Sequence, residues 1–238
     1  ALTSLKYFCE ELPDQALIAA GSLLGVTLSE QSYPVGKIDE LEMYSMSFDE
    51  FLMGIGENKL ADILINSKPE LFKSLAAHEK LLKTLKWYFV TGGLPEIVQL
   101  FSDTRDDFMT CLAKVRRQQE ILLNNYYADI SKHSGKSNSM HITRVLQSIP
   151  AQLSREIDGS SGKFKFTGVV PKISKYSRLA ASFDWLQAAG LIYKVPIIDH
   201  CEEPLQAQVK DSQFKLYLFD IGLLGALGNL SPESILNY

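Results

Sequence analysis

Hydrophobic and polar positions fall into three successive patterns along the chain. The first is short and mixed. Leu5, Phe8, Cys9 and Leu12 recur at helical spacing behind Thr3 or Ser4, either of which can cap, and predict a short opening helix. Ala16, Leu17, Ile18, Ala19 and Ala20 then form an apolar run. It is too short to span a membrane and too uniform for a strand with one wet face, so it predicts a strand buried on both sides of a parallel sheet, ending at Gly21-Ser22. Leu41, Met43 and Tyr44 predict a second strand. Ser47, with Glu50 three residues on, predicts a capping box and the start of a helix.

The second pattern is helical for a long way. FDEFLMGIG, KLADILIN, PELFKSLAAHEKLLKTLKWYFVTG and TRDDFMTCLAKVRRQQEILLNNYYADISKH each place apolar residues three or four apart, and Gly, Asn-Ser or Pro separates them. The polar stretch SGKSNS, residues 134–139, reads as a boundary. Beyond it comes the third pattern. MHITRVLQSIPAQLSREI and SKYSRLAASFDWLQAAGLI read as helices, and YKVPIID and FKLYLFD as strands on either side of the polar loop HCEEPLQAQVKDSQ. Helix, helix and a two-stranded ribbon is the order of a winged helix-turn-helix. The fold class expected is mainly α with a small α/β part, divided at 1–50, 51–138 and 139–238.

Composition narrows the function classes. With 46% hydrophobic and 22% charged residues the chain is of globular type, and its formal net charge of −4 excludes a wholly basic nucleic-acid coat while leaving a local basic face open. Cys9, Cys111 and Cys201 form no C-x-x-C pair, so neither a disulfide framework nor a zinc site is predicted. His78, His133, His141 and His200 have no ligand at coordination spacing and receive no role. No apolar stretch reaches about 18 residues and no signal peptide is visible, so the expected setting is the cytoplasm, away from the membrane. The chain opens at Ala1 without a methionine, as if in mid-domain.

Phosphate-binding motifs fail on context. Gly135-Lys136-Ser137 has the ending of a phosphate loop, but Ile130 stands where the first glycine belongs and the preceding segment is helical in pattern rather than a buried strand. Gly36-Lys37 fails the same test. Gly21-Ser22 on its own reads as a chain turn. In TGGLPEIV, Pro95 at the first helical position and Glu96 in the first turn read as a helix start after a glycine break.

Taken in order, AAGSLLG, VGKIDELEMYSMSFDEFL, TGGLPEIV, NNYYADISKH, FDWLQAAGLIYKV and KLYLFDIGLLGAL resemble the bacterial and archaeal ATPases of the AAA superfamily that carry a helical lid, a winged helix and a nuclease-like domain. The resemblance implies that residues 1–50 are a remnant of a parallel P-loop sheet, 51–138 the lid and 139–238 the winged helix. It implies that Ser22 is the sensor beside the hydrolysing phosphate, and that Gly93, Leu94 and Pro95 pack on the nucleotide. ATP and Mg would serve the intact protein. This chain has no phosphate loop and no strand ending in paired acids, so it is not expected to hydrolyse ATP by itself. A winged-helix DNA-binding regulator without nucleotide chemistry is the alternative.

Charge adds two further candidates. Arg116 and Arg117 read either as a solvated helix face or as an arginine finger. From Lys163 to Arg178 the chain holds Lys163, Lys165, Lys172, Lys175 and Arg178 with no acid among them. On a turn and recognition helix, Lys172, Lys175 and Arg178 would contact duplex DNA through its phosphates. Acidic Glu202 and Glu203 in the wing oppose that reading, and a winged helix also serves as a packing module for a protein partner or oligomer. Trp87 and Trp185 are expected in the core.

Overall fold

The computed structural model describes residues 2–21, 26, 36–66, 75–154, 162–198, 200 and 202–237. They are mainly helical with one small sheet. The helices are α1 (Leu2–Glu11), α2 (Phe48–Gly54), α3 (Asn58–Asn66), α4 (Leu75–Thr91), α5 (Pro95–Thr104), α6 (Phe108–His133), α7 (Lys136–Leu153) and α8 (Ala180–Ala188). The strands β1 (Ile192–Pro196) and β2 (Phe214–Leu218) follow, and then α9 (Ile221–Leu227) and α10 (Pro232–Asn237).

Local chemistry sets the helix ends. The Glu50 carboxylate accepts from the Ser47 N–H at 2.8 Å, which completes the predicted capping box of α2. Pro95 opens α5 with Glu96 in its first turn. Asp107 caps α6 by accepting from the Thr110 N–H.

α6 is the spine of the molecule. Its buried residues Cys111, Val115, Gln119, Leu123 and Ile130 recur every four or seven positions and so share one face, with Leu112 beside it. The N-terminal half of that face packs Cys111 and Val115 with Phe51, Ile55, Ile97, Val98 and Phe101, and Trp87 and Tyr88 border the cluster. The C-terminal half gives Leu123 and Ile130 to a second core with Leu146, Ile149, Leu179, Phe183, Phe214 and Leu216. Leu94 and Leu122 touch both cores. Burial of apolar side chains at roughly 1.5–3 kcal/mol each therefore joins the two halves across α6.

The sheet is an antiparallel ribbon, paired from Ile192↔Leu218 to Pro196↔Phe214. Phe214, Leu216 and Leu218 alternate inward, as the period of two requires. The Phe164 N–H donates to the Phe214 carbonyl at 2.8 Å, so residues near 164 border β2 on the side away from β1. Both strands expected near the C-terminus are present.

Two sequence expectations are corrected. Residues 16–20 are irregular and exposed, with Ile18 94% accessible, rather than a buried strand. Residues 41–44 form no strand either, and Leu41 and Met43 are 91% and 90% accessible. Apolar runs become strands only where neighbours complete their hydrogen bonds, and the one sheet among the described residues is the ribbon. The parallel sheet is accordingly not seen among them. Within the stretch 134–139, Ser134 and Gly135 separate α6 from α7, and Lys136 begins α7. Gly135 makes that turn at φ 75°, a conformation open to glycine.

Candidate functional site

The most closely built polar site lies where α4 meets α5. α4 ends at Thr91, Gly92 turns the chain at φ 77°, and Gly93 leads into Leu94 and Pro95. The Gly93 N–H donates to Asp220 Oδ2 at 2.7 Å, and the Leu223 N–H donates to Asp220 Oδ1 at 2.9 Å. Asp220 thus caps α9 and grips the glycine turn with the same carboxylate. The Gly93 carbonyl accepts from the Met46 N–H at 2.7 Å, and the Met46 carbonyl accepts from the Tyr88 hydroxyl at 2.8 Å. Ser45 Oγ donates to the Phe219 carbonyl at 2.9 Å. Gln119 from α6 donates to the Val90 and Thr91 carbonyls at 2.8 and 3.2 Å, which satisfies the end of α4.

Space is as tight as the hydrogen bonding. A Cβ on Gly92 would strike the Asp220 carboxylate, one on Gly93 the Met46 backbone, and one on Gly222 the Thr91 carbonyl. Glycine is required at all three by close approach, and at Gly92 also by its positive φ. Asp220 is 2% exposed, and burial raises its pKa against the opposing pull of the N–H groups of Gly93, Leu223 and Gly222. The neighbouring phenols Tyr88 and Tyr126 are also raised, chiefly by burial and then by the charge of Asp220.

The residues expected to meet the nucleotide sit differently from one another. Gly93 is buried and enclosed by Met46 and Asp220, Leu94 is half-buried between the two cores, and Pro95 is exposed. Ser22 lies outside the described residues. On the side where a Cβ would stand, Gly93 faces the Met46 backbone, and no cluster of three metal-ligating side chains occurs among the described residues.

Lys172, Lys175 and Arg178 are exposed and close in sequence, but they precede α8 instead of lying on it. Lys172 sits at φ 65° in the turn bridged by Val170 and Ile173. Lys175 and Arg178 begin and end a single 3-10 turn, Tyr176–Arg178. Tyr176 points inward against Phe166, Phe183 and Phe214, which holds the turn too tightly wound for α geometry. The two ion pairs among the described residues, Lys37–Glu10 and Lys80–Glu57, leave this basic turn without a carboxylate partner. Glu202 and Glu203 are exposed on the connection between β1 and β2.

Arg116 and Arg117 part ways. Arg116 donates to the Leu230 carbonyl at 2.6 Å, and burial lowers its pKa, whereas Arg117 is exposed. Trp87 packs against the first core with its ring tilted to that of Phe101 at 5.7 Å, and Trp185 packs against the second. No helix among the described residues is long and apolar enough to cross a membrane.

Sequence reading found the glycine turn but not Asp220, Met46 or Gln119. An aspartate ahead of IGLL signals a helix cap. Its second partner, 127 residues away, leaves no local mark.

No curated protein and no solved structure matches the chain. Residues 82–234, from within α4 into α10 and including the glycine turn, Asp220 and the basic turn, match the sequence profile of a family described as Domain of unknown function (DUF8612), and the chain belongs to that family.

Proposed function

We propose that this chain is the lid and winged-helix part of an ATP-binding protein of the AAA superfamily, and that ATP hydrolysis belongs to the intact protein. The observation that carries the reading is the sealed joint of Gly92, Gly93 and Asp220. It ties the Gly-Gly-Leu-Pro turn inside the helical subdomain to Asp220, at the start of the helix that follows the antiparallel ribbon. Such a joint suits a lid whose turn contacts nucleotide and is coupled to the unit that carries the ribbon. Its contribution at the nucleotide would come from the exposed side of the turn at Pro95, since Gly93 is enclosed. No residue here is assigned to the β-phosphate or to Mg, and no chemical step is derived through them.

Purified as residues 1–238, the chain should show no Mg-dependent ATP turnover, while the product of its complete gene should. Replacement of Ser22 by Ala in that complete protein should slow hydrolysis several-fold with nucleotide affinity nearly unchanged, because a sensor acts on the transition state. ATP turnover by the 238-residue chain, or none by the complete protein, overturns the proposal.

A second reading is favoured by one observation. Lys172, Lys175 and Arg178 are exposed on two successive turns and have no carboxylate partner among the described residues, as phosphate contacts to duplex DNA would.

A further inference from the structure

α9 packs on both α4 and α6, and two of its glycines, three positions apart, bring it close to each. Gly222 stands against the Thr91 carbonyl at the end of α4, and Gly225 against the Arg116 guanidinium on α6. Arg116 and Gln119 are also three positions apart and so share a face of α6. From that face the Gln119 amide donates to the Val90 and Thr91 carbonyls. Thr91, Gln119 and Arg116 therefore border one seam beneath α9.

Thr91 and Gln119 are both 0% exposed, yet Thr91 Oγ1, Gln119 Oε1 and Arg116 Nη1 are buried atoms with no hydrogen-bond partner among the described residues. The two carbonyls that face the Gln119 NH2 fix which way its amide points, so the oxygen is the end left over. A buried hydroxyl or amide oxygen without a partner loses its hydration and gains no bond for it. The three atoms also differ in what they need: Gln119 Oε1 only accepts, Arg116 Nη1 only donates and Thr91 Oγ1 does either. An anionic oxygen cannot donate to Gln119 Oε1, and a metal cation cannot accept from Arg116. The group that serves all three both donates and accepts, and it is small, because a Cβ on Gly222 already meets the Thr91 carbonyl.

We propose that this seam is a binding site for internal water, which donates to Gln119 Oε1, bonds the Thr91 hydroxyl and accepts from Arg116 Nη1. Buried waters make about three hydrogen bonds of this kind, to polar groups that have no other partner. A bond through such a water is nearly as favourable in enthalpy as a direct one. The water joins the end of α4 to α6 beside the glycine turn, at a point where the side chains themselves do not meet. The site depends neither on the assignment to an ATPase nor on contact with DNA.

Thr91→Val tests the site through the sign of its effect. Valine fills nearly the same volume with a similar helix propensity, and it puts a methyl group where the hydroxyl stood. If the hydroxyl holds water, the change takes a partner from that water, and the unfolding constant measured in urea should rise about tenfold. A hydroxyl buried dry gives up only an unmet need, so the valine variant would then be as stable as the wild type or more so. The water is read directly in a crystal structure of the 238-residue chain at a resolution that shows ordered solvent, where density within hydrogen-bond distance of both Thr91 Oγ1 and Gln119 Oε1 is expected. The wild-type crystal decides the matter even if Thr91→Val does not fold. A Thr91→Val variant at least as stable as the wild type, a seam without solvent density, or a direct bond from Thr91 Oγ1 to Gln119 Oε1 overturns the proposal.

Discussion

The carboxylate of Asp220 accepts from the backbone of Gly93 at 2.7 Å and, with its other oxygen, caps the helix that begins at Ile221. One side chain therefore fixes the turn at the end of α4 and the entry into α9, and both cores depend on that alignment through Leu94 and Leu223.

The joint has no room for a methyl group. Gly93→Ala drives a Cβ into the backbone of Met46, which cannot swing aside as a flexible side chain would because its N–H and carbonyl are both bonded. A loss of about 2–4 kcal/mol in urea unfolding is expected, in the range of strained overpacking. Gly21→Ala, where a Cβ meets nothing within 4 Å, is the control and should change stability by less than about 0.5 kcal/mol. Equal stability of the two variants would show that the turn can open without cost.

Asp220 also sets a pH dependence with a definite sign. Burial raises its folded pKa above the unfolded value, so its protonated form is the one the fold favours. The stability tied to this group is fully present below the unfolded pKa and is lost as pH rises through the folded one. Asp220→Asn does not titrate and gives up one acceptor. The stability advantage of the wild type over Asp220→Asn should therefore widen on going from pH 7 toward pH 4.5, with the neutral phenols Tyr88 and Tyr126 adding no change over that range. An advantage that narrows toward acid would mean that the three N–H donors outweigh burial.

Helices and ribbon were legible in the sequence because their signals are local. The spacing of Cys111, Val115, Gln119 and Leu123 names the buried face of α6, and the Ser47–Glu50 pair names the start of α2. The alternation of Phe214, Leu216 and Leu218 names the inward face of β2. What failed depends on distant partners. Residues 16–20 and 41–44 have the composition of strands, but composition cannot supply a neighbouring strand to complete their hydrogen bonds. Gly93 was visible as a turn and Asp220 as a cap, yet nothing local to either tells of the other. The basic turn was found by its charge and misplaced onto a helix, because the aromatic contacts that wind Tyr176–Arg178 into a 3-10 turn come from residues 166, 183 and 214.

Adjacent arginines offer a test of position against charge. Arg116 reaches from α6 to the Leu230 carbonyl in the turn between α9 and α10, and its guanidinium covers Gly225. Arg116→Met keeps the apolar stem and removes the bond, at an expected cost of about 1 kcal/mol, and should increase hydrogen exchange in residues 228–237. Arg117→Ala, on the exposed face one position along, should leave both unchanged. Matching effects at the two positions would rule out a specific role for the Leu230 contact.

The basic turn makes the most direct prediction about a macromolecular partner. Lys172, Lys175 and Arg178 lie within seven residues, Lys172 in one turn and Lys175 and Arg178 at the two ends of the next, against whose inner side Tyr176 packs. Phosphate contacts from such side chains release condensed counterions, so log affinity for duplex DNA should fall linearly with log salt, with a slope near −0.9 for each phosphate neutralised. Removal of one charge, as in Lys175→Ala, should flatten that slope by about one and weaken binding to all sequences alike. Because the chain is acidic overall, with Glu202 and Glu203 exposed on the connection between the strands, the interaction should be weak at physiological salt and measurable by fluorescence anisotropy near 50 mM. Glu202→Gln with Glu203→Gln should strengthen it if the same face meets the backbone. No binding at micromolar protein and low salt, or a slope unchanged in Lys172→Ala, Lys175→Ala and Arg178→Ala, would leave this turn as an ordinary solvated surface.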